Sequence, residues 1–152
     1  MLAAARSRPL QSRRRFCHRP MAATAAPAEG ATLPQAFRVL AFEDNTNIKE
    51  LLDEAGVLYG VLQQSWDSAS AVEKIAAFRP DVLLLDYYMP PLTGLQVLNA
   101  LNAAVAAGKL ERPPFVLGIS SVSSCNSKML AAGADAGFVK WDCPQWSGWA
   151  KR

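Results

Sequence analysis

The sequence predicts an α/β fold, an open doubly wound sheet of five parallel strands, and three observations carry that expectation. From Phe37 onward, short apolar strands alternate with stretches of helical periodicity, the pattern of βαβ units. Val82-Leu-Leu-Leu85 is an unbroken apolar run, as a strand buried on both faces requires. Polar and charged residues gather just after the strands, at the carboxyl ends where such sheets hold their ligands.

Phe37-Arg-Val-Leu-Ala-Phe42 reads as the first strand. Asn47 to Ala55 places Ile48, Leu51, Leu52 and Ala55 on one helical face, and Gly56 closes it. Val57 to Leu62 is the second strand candidate. Asp67 to Phe78 reads as a helix with Ala69, Val72, Ile75 and Ala76 on one side, and Asp67 or Ser68 as its N-cap. Pro80-Asp81 leads into the third strand, and Leu95 to Ala107 is helical. Phe115 to Ile119 is the fourth strand, a short helix around Lys128 to Ala132 ends at Gly133, and Gly137-Phe-Val139 is the fifth strand. Five strands in this span give a flavodoxin-like sheet of order 2-1-3-4-5. The last helix is expected to be shortened or missing, because Pro144 and Gly148 interrupt residues 142–152.

With 152 residues the chain has room for one domain and one core. It has no run of 18 apolar residues, so no membrane span is expected. Its net charge of +3 is unevenly placed. Residues 1–28 contain six arginines (Arg6, Arg8, Arg13, Arg14, Arg15 and Arg19) and no acid, while the rest has ten basic and thirteen acidic residues. Nucleic acid is therefore not an expected partner of the body. Residues 1–35 read as a leader rich in Ala, Arg and Ser, the composition of a plastid or mitochondrial transit peptide, and residues 36–152 as the domain. Met21-Ala-Ala-Thr resembles an alternative start that would delete all six arginines and leave the product in the cytoplasm. The three cysteines, Cys17, Cys125 and Cys143, have no metal-ligand spacing, which fits a reducing compartment. The one histidine, His18, lies in the leader, so neither a histidine metal site nor a Ser/His/Asp triad is expected in the domain.

The residues after the strands have a shared chemical logic. Glu43-Asp44 follows the first strand, Asp86 the third, Ser120-Ser121 the fourth and Lys140 the fifth. Mg²⁺ takes oxygen ligands, usually one or two carboxylates with phosphate oxygens and waters, and Asp44 and Asp86 can supply the carboxylates, with Glu43 beside them. An aspartate can act as a nucleophile and form an acyl phosphate. Phosphoryl transfer is governed by positioning and electrostatic clamping, which Mg²⁺, Lys140 and a serine hydroxyl could share.

In these residues the chain resembles the receiver domains of response regulators. Asp86-Tyr-Tyr-Met-Pro-Pro-Leu-Thr-Gly94 is similar to the family's phosphoacceptor motif, with Met89-Pro90 and Gly94 in their places. Glu43-Asp44 matches the acidic pair, Ser120 the hydroxyl, Ser121 the small residue beside it, and Lys140 the lysine, over about residues 37–141. The resemblance implies a phosphorelay module that takes a phosphoryl group on Asp86 with Mg²⁺. Its ligands would be Asp44, Asp86, Glu43 and the backbone carbonyl of Tyr88, with Lys140 and Ser120 as catalytic partners. The phosphodonor would be a histidine kinase or phosphotransfer protein, and the output an unidentified downstream protein. Self-catalysed phosphoryl transfer and slow self-dephosphorylation are expected, because Tyr88 and Val122 flank the water's path.

The chain departs from the family in signal transmission. Trp141 stands where a proline usually follows the lysine. The aromatic expected in the fifth strand falls on Gly137, next to Phe138. The segment from Ser120 to Gly133 is about two residues short by comparison with the family pattern. The alternative is a pseudo-receiver that docks proteins without being phosphorylated. A phosphatase of the haloacid dehalogenase type would need a second aspartate where Tyr88 stands, and a dinucleotide enzyme would need a glycine-rich loop where Glu43-Asp-Asn-Thr-Asn-Ile48 stands. Cys125 and Cys143 could form a redox pair, though buried or incidental thiols are commoner. Trp141, Trp146 and Trp149 could form a docking surface, though such aromatics more often fill a core edge.

Overall fold

The structure is a computed structural model and describes residues 37–152. The leader with its arginines, Cys17, His18 and the Met21 start therefore lies outside the described residues. The main sheet contains β1 (Arg38–Phe42), β3 (Val61–Ser65), β4 (Val82–Asp86), β5 (Phe115–Ser120) and β6 (Ala136–Val139). All its pairings are parallel, in the order β3-β1-β4-β5-β6. Counting sheet strands alone, that is the expected 2-1-3-4-5. The helices are α1 (Ile48–Glu54), α2 (Ala71–Phe78), α3 (Gly94–Ala106) and α4 (Ser123–Ala131). β2 (Val57–Leu58) pairs antiparallel with β7 (Ala150–Lys151) in a small second sheet.

The period-two geometry of the strands divides the core into two layers. Leu40, Phe42, Leu83 and Leu85 face the α2, α3 and α4 side, where they meet Ile75, Leu98, Leu101 and Met129. Val39, Ala41, Val82 and Leu84 face the other side, with Ile48, Leu52, Cys143 and Trp149. Each large side chain so buried contributes about 1.5–3 kcal/mol. β4 runs through the middle and is buried at all five positions, as its apolar run predicts.

Three elements have bounds well away from expectation, while the shortened last helix is as expected. Val57 to Leu62 is not one strand. It breaks at Tyr59-Gly60, and the strand that joins the main sheet runs on to Ser65. β3 is an edge strand whose burial alternates, so its polar Gln63 and Gln64 belong to it. α2 begins at Ala71 rather than Asp67. The Asp67 carboxylate accepts from Ala69 N and from Lys74 Nζ, and Ser68 bonds to Leu92, so neither residue caps the helix. α4 begins at Ser123, because its first turns carry serines that hide its periodicity. The last helix is reduced to a 3₁₀ segment, Lys140–Gln145, with Pro144 inside it. Trp146 and Trp149 fill the space beside it. Trp149 stacks on Phe37 at 5.4 Å and Trp146 meets Phe115 edge-on at 4.9 Å, so both pack as a core edge. Trp141 remains 58% exposed. Cys125 and Cys143 are free and buried. Among the described residues, no helix is long and apolar enough to cross a membrane.

Candidate functional site

The carboxyl ends of β1, β4, β5 and β6 bring Glu43, Asp44, Asp86, Ser120 and Lys140 to one edge of the sheet. Glu43, Asp86, Ser120 and Lys140 are buried. Glu43 is held by its own loop: its Oε1 accepts from Asn45 N (3.0 Å), Thr46 N (2.8 Å) and Lys140 Nζ (2.9 Å). Its Oε2 lies 2.8 Å from the same ammonium. Lys140 Nζ also reaches Asp86 Oδ2 at 3.5 Å. Ser120 Oγ accepts from Val122 N at 3.2 Å, which leaves its proton for another acceptor.

Three carboxylates gather here, and one ammonium contacts two of them, Glu43 and Asp86. Burial first, and then the neighbouring Glu43 charge, push the Asp86 carboxyl up from 3.8 to about 6, against the opposing pull of Lys140. For Lys140, burial is the largest single influence and lowers its value. Its hydrogen bond to Glu43 and the charge of Asp86 outweigh it, so the ammonium is held above its ordinary value.

The carboxylates fit a divalent cation. Ligand atoms of Glu43, Asp44 and Asp86 lie within 4.8 Å of one another, and Asp44 Oδ1 is buried with no hydrogen-bond partner. A buried carboxylate oxygen left unpaired is costly unless something cationic meets it, and hard oxygen donors suit Mg²⁺. Glu43 Oε2 makes no hydrogen bond either, but it lies 2.8 Å from the Lys140 ammonium, so Asp44 and Asp86 are the freer donors.

The loop after Asp86 is held firmly. The Cβ of any larger residue at Gly94 would lie 2.2 Å from the Asp86 carbonyl oxygen, so only glycine lets α3 start against the acceptor strand. Thr93 and Gln96 complete a capping box there. Met89 is buried, whereas Tyr88 turns outward, 58% exposed, with its hydroxyl 3.5 Å from Cys125 Sγ. Val122, at the start of α4, is 43% exposed.

The motifs miss three residues. Gln64 bonds to Glu43 O, Thr46 O and Ile48 N, and Ser68 bonds to both the N–H and the carbonyl of Leu92. Asn126, buried under α4, donates to Phe138 O. A Cβ at Gly137 would meet Asn126 Cβ at 2.9 Å, which explains why no aromatic occupies that position of β6. A cleft of about 580 Å³ lined by Arg79, Asp81, Lys109 and Arg112 opens at the other end of the strands, away from this chemistry.

No protein-family model matches the sequence. A protein-glutamate methylesterase/protein-glutamine glutaminase of Myxococcus xanthus is 35% identical over 113 residues, covering 72% of this chain but 30% of that protein. Its full activity therefore does not transfer with the match. Among solved structures, the signal receiver domain of the response regulator NarL from Mycobacterium tuberculosis is 28% identical, with a TM-score of 0.55, and the match covers 74% of this chain and 99% of that domain. The receiver domain of the histidine kinase CKI1 from Arabidopsis thaliana, solved with Mg²⁺ and BeF₃⁻, superposes with a TM-score of 0.56 over 72% of this chain and 85% of that one. At 17% identity that likeness shows the fold alone.

Proposed function

Because this chain carries a receiver domain of the response-regulator family, we propose that Asp86 takes a phosphoryl group from a phosphohistidine protein and that the phosphorylated domain signals by binding a downstream protein. One observation carries the proposal: Asp86, 3% exposed, sits 3.5 Å from Lys140 within a carboxylate cluster that includes the unpaired Asp44 Oδ1.

An oxygen of Asp86 attacks the phosphorus. The acyl phosphate bond forms as the donor's P–N bond breaks, and the imidazole leaves with that electron pair. Lys140 shifts its hydrogen bonding from the carboxylates to a phosphoryl oxygen, and Ser120 donates its free proton to another. Asp44 and Asp86 would hold Mg²⁺, with Glu43 and the Tyr88 carbonyl completing the set. When bound, the ion supplies positive charge against the transferring group. The clustered carboxylates and the unpaired Asp44 Oδ1 support this assignment, and the CKI1 receiver, which shares the fold, was solved with Mg²⁺.

Acetyl phosphate with Mg²⁺ should add one phosphoryl mass to the protein, and Asp86→Asn should abolish the gain. Labelling retained in that variant would refute the acceptor. The alternative, a receiver fold that docks partners unphosphorylated, is favoured by one feature: Gly137 removes the aromatic through which the family transmits the signal. A parent protein that never gains mass would support that reading instead.

A further inference from the structure

We propose that Gln64 and Ser68 are positioning residues. The end of β3 and the segment joining it to α2 clamp the acidic loop and the acceptor loop against each other, and so set the Mg²⁺ affinity of the site. The inference rests on the metal reading above and names what holds that site in shape.

The β1–β4 ladder brings Glu43 and Asp86 side by side, but Asp44 lies in the loop of residues 43–47 after β1 and the Tyr88 carbonyl in the loop of residues 87–93 after β4, and the ladder ends at Phe42 and Leu85 before either loop. Gln64 lies opposite Ala41 in the β1–β3 ladder. Its side-chain amide is spent wholly on the first loop. Nε2 donates to Glu43 O at 2.9 Å and to Thr46 O at 2.8 Å, and Oε1 accepts from Ile48 N at 2.9 Å. Both amide hydrogens and one oxygen lone pair are used, so the loop's path and the start of α1 are fixed from one side chain. Asp44, whose Oδ1 has no protein partner, depends on that path for its position.

Four residues on, Ser68 does the same for the second loop. It is fully buried. Its hydroxyl donates to Leu92 O and accepts from Leu92 N, both at 2.7 Å, and its backbone N–H reaches Pro90 O at 2.9 Å. The segment between them is itself stiffened. Ser65 Oγ donates to Asp67 O, while Lys74 Nζ bridges Ser65 Oγ and Asp67 Oδ1. Glu43 N bonds to Ser65 O at 3.1 Å, which ties the acidic loop to the same segment. A metal whose ligands come from separate loops binds weakly if binding must also order those loops, and partners behind the ligands restore that affinity.

The test is calorimetric Mg²⁺ titration of the full chain. Ser68→Ala and Gln64→Met, the latter similar in size but without hydrogen bonds, should each raise the dissociation constant about tenfold. Gln64→Glu loses both donors and should behave like Gln64→Met, while Ser68→Thr keeps the hydroxyl and should behave like the parent. Acetyl phosphate labelling at saturating Mg²⁺ should recover the parent rate in Ser68→Ala and Gln64→Met, because the reacting groups are untouched. Parent affinity in both of those variants, with only the melting temperature lowered, would overturn the inference and leave a purely structural clamp. A parent that binds no Mg²⁺ would instead overturn the metal reading, and the inference with it.

Discussion

Asp86→Asn should stabilise the metal-free protein, and the gain should depend on pH. Asp86 is buried, with its carboxyl raised from 3.8 to about 6 by burial and by the Glu43 charge. A carboxyl whose folded value lies above its unfolded value binds more protons folded than unfolded in the window between them. Stability therefore falls as pH rises from about 4 to about 6, and the full cost is present above that window. The rise amounts to about 3 kcal/mol of folding free energy. Asparagine preserves the shape and removes the charge, while Lys140 keeps Glu43 as its closer partner. Urea unfolding in the presence of a chelator should show the variant's midpoint about 1–3 M higher at pH 7.5. The gap should shrink toward zero near pH 4. Mg²⁺ at a hundredfold excess over its dissociation constant should return about 2.7 kcal/mol to the parent and close most of the gap at pH 7.5. A variant no more stable than the parent at pH 7.5, or a gap indifferent to pH, would refute the argument that Asp86 is an ionised buried carboxylate held at a cost.

Asp44→Ala should raise the Mg²⁺ dissociation constant far more than Glu43→Ala, because Asp44 Oδ1 is unpaired while the two Glu43 oxygens lie 2.9 and 2.8 Å from the Lys140 ammonium. Glu43→Ala should instead lower stability by about 3 kcal/mol, since it strips a buried ammonium of its closest partner. Equal affinities for Asp44→Ala and the parent by calorimetry would place the metal elsewhere. Tyr88→Ala/Val122→Ala should shorten the lifetime of the phosphorylated protein, because an in-line water has to pass these side chains, and decay no faster than the parent would sink that idea. We propose further that the arginine-rich leader directs import. A reporter fused after residue 35 should then enter a plastid or mitochondrion, while one started at Met21 should stay in the cytosol, and identical distributions would contradict it.

Legibility in the sequence follows burial. β4 is readable because all five of its positions are buried, and a strand covered on both faces is what sustains so short and unbroken an apolar run. α1 and α3 are readable because their apolar faces are regular and their starts carry cap residues, Asn47 and Thr93. β3 is hard to place because it lies at the edge of the sheet. Its Gln63 and Gln64 interrupt the apolar signal while obeying the strand's alternation, and the apolar Val57-Leu58 before them pairs with residues 150–151 instead. α4 is longer than its pattern suggests because Ser123, Ser124, Asn126 and Ser127 mask a helix whose buried face is only Cys125, Asn126 and Met129.

At the site, residues that act through charge are legible and those that act through geometry are not. A carboxylate after a buried strand has a small set of uses, so Glu43, Asp44, Asp86 and Lys140 are identifiable from type and position. A glutamine and a serine have many, and their role here depends on partners far along the chain. Gln64 reaches back 16 to 21 residues and Ser68 reaches forward 24, distances at which no local pattern operates. Gly94 is the intermediate case: the motif contains it, but the 2.2 Å approach to the Asp86 carbonyl gives the reason. Gly137 is its counterpart in β6. Its missing side chain reads from the sequence as a loss, yet the space is taken by Asn126, whose amide holds α4 to the Phe138 carbonyl. The same helix touches the acceptor loop directly, through Tyr88 on Cys125 and the Lys128 ammonium 5.7 Å from the Tyr87 ring. The contact between acceptor and α4 thus runs through the two residues that follow Asp86, where the family's pattern would place it in β6.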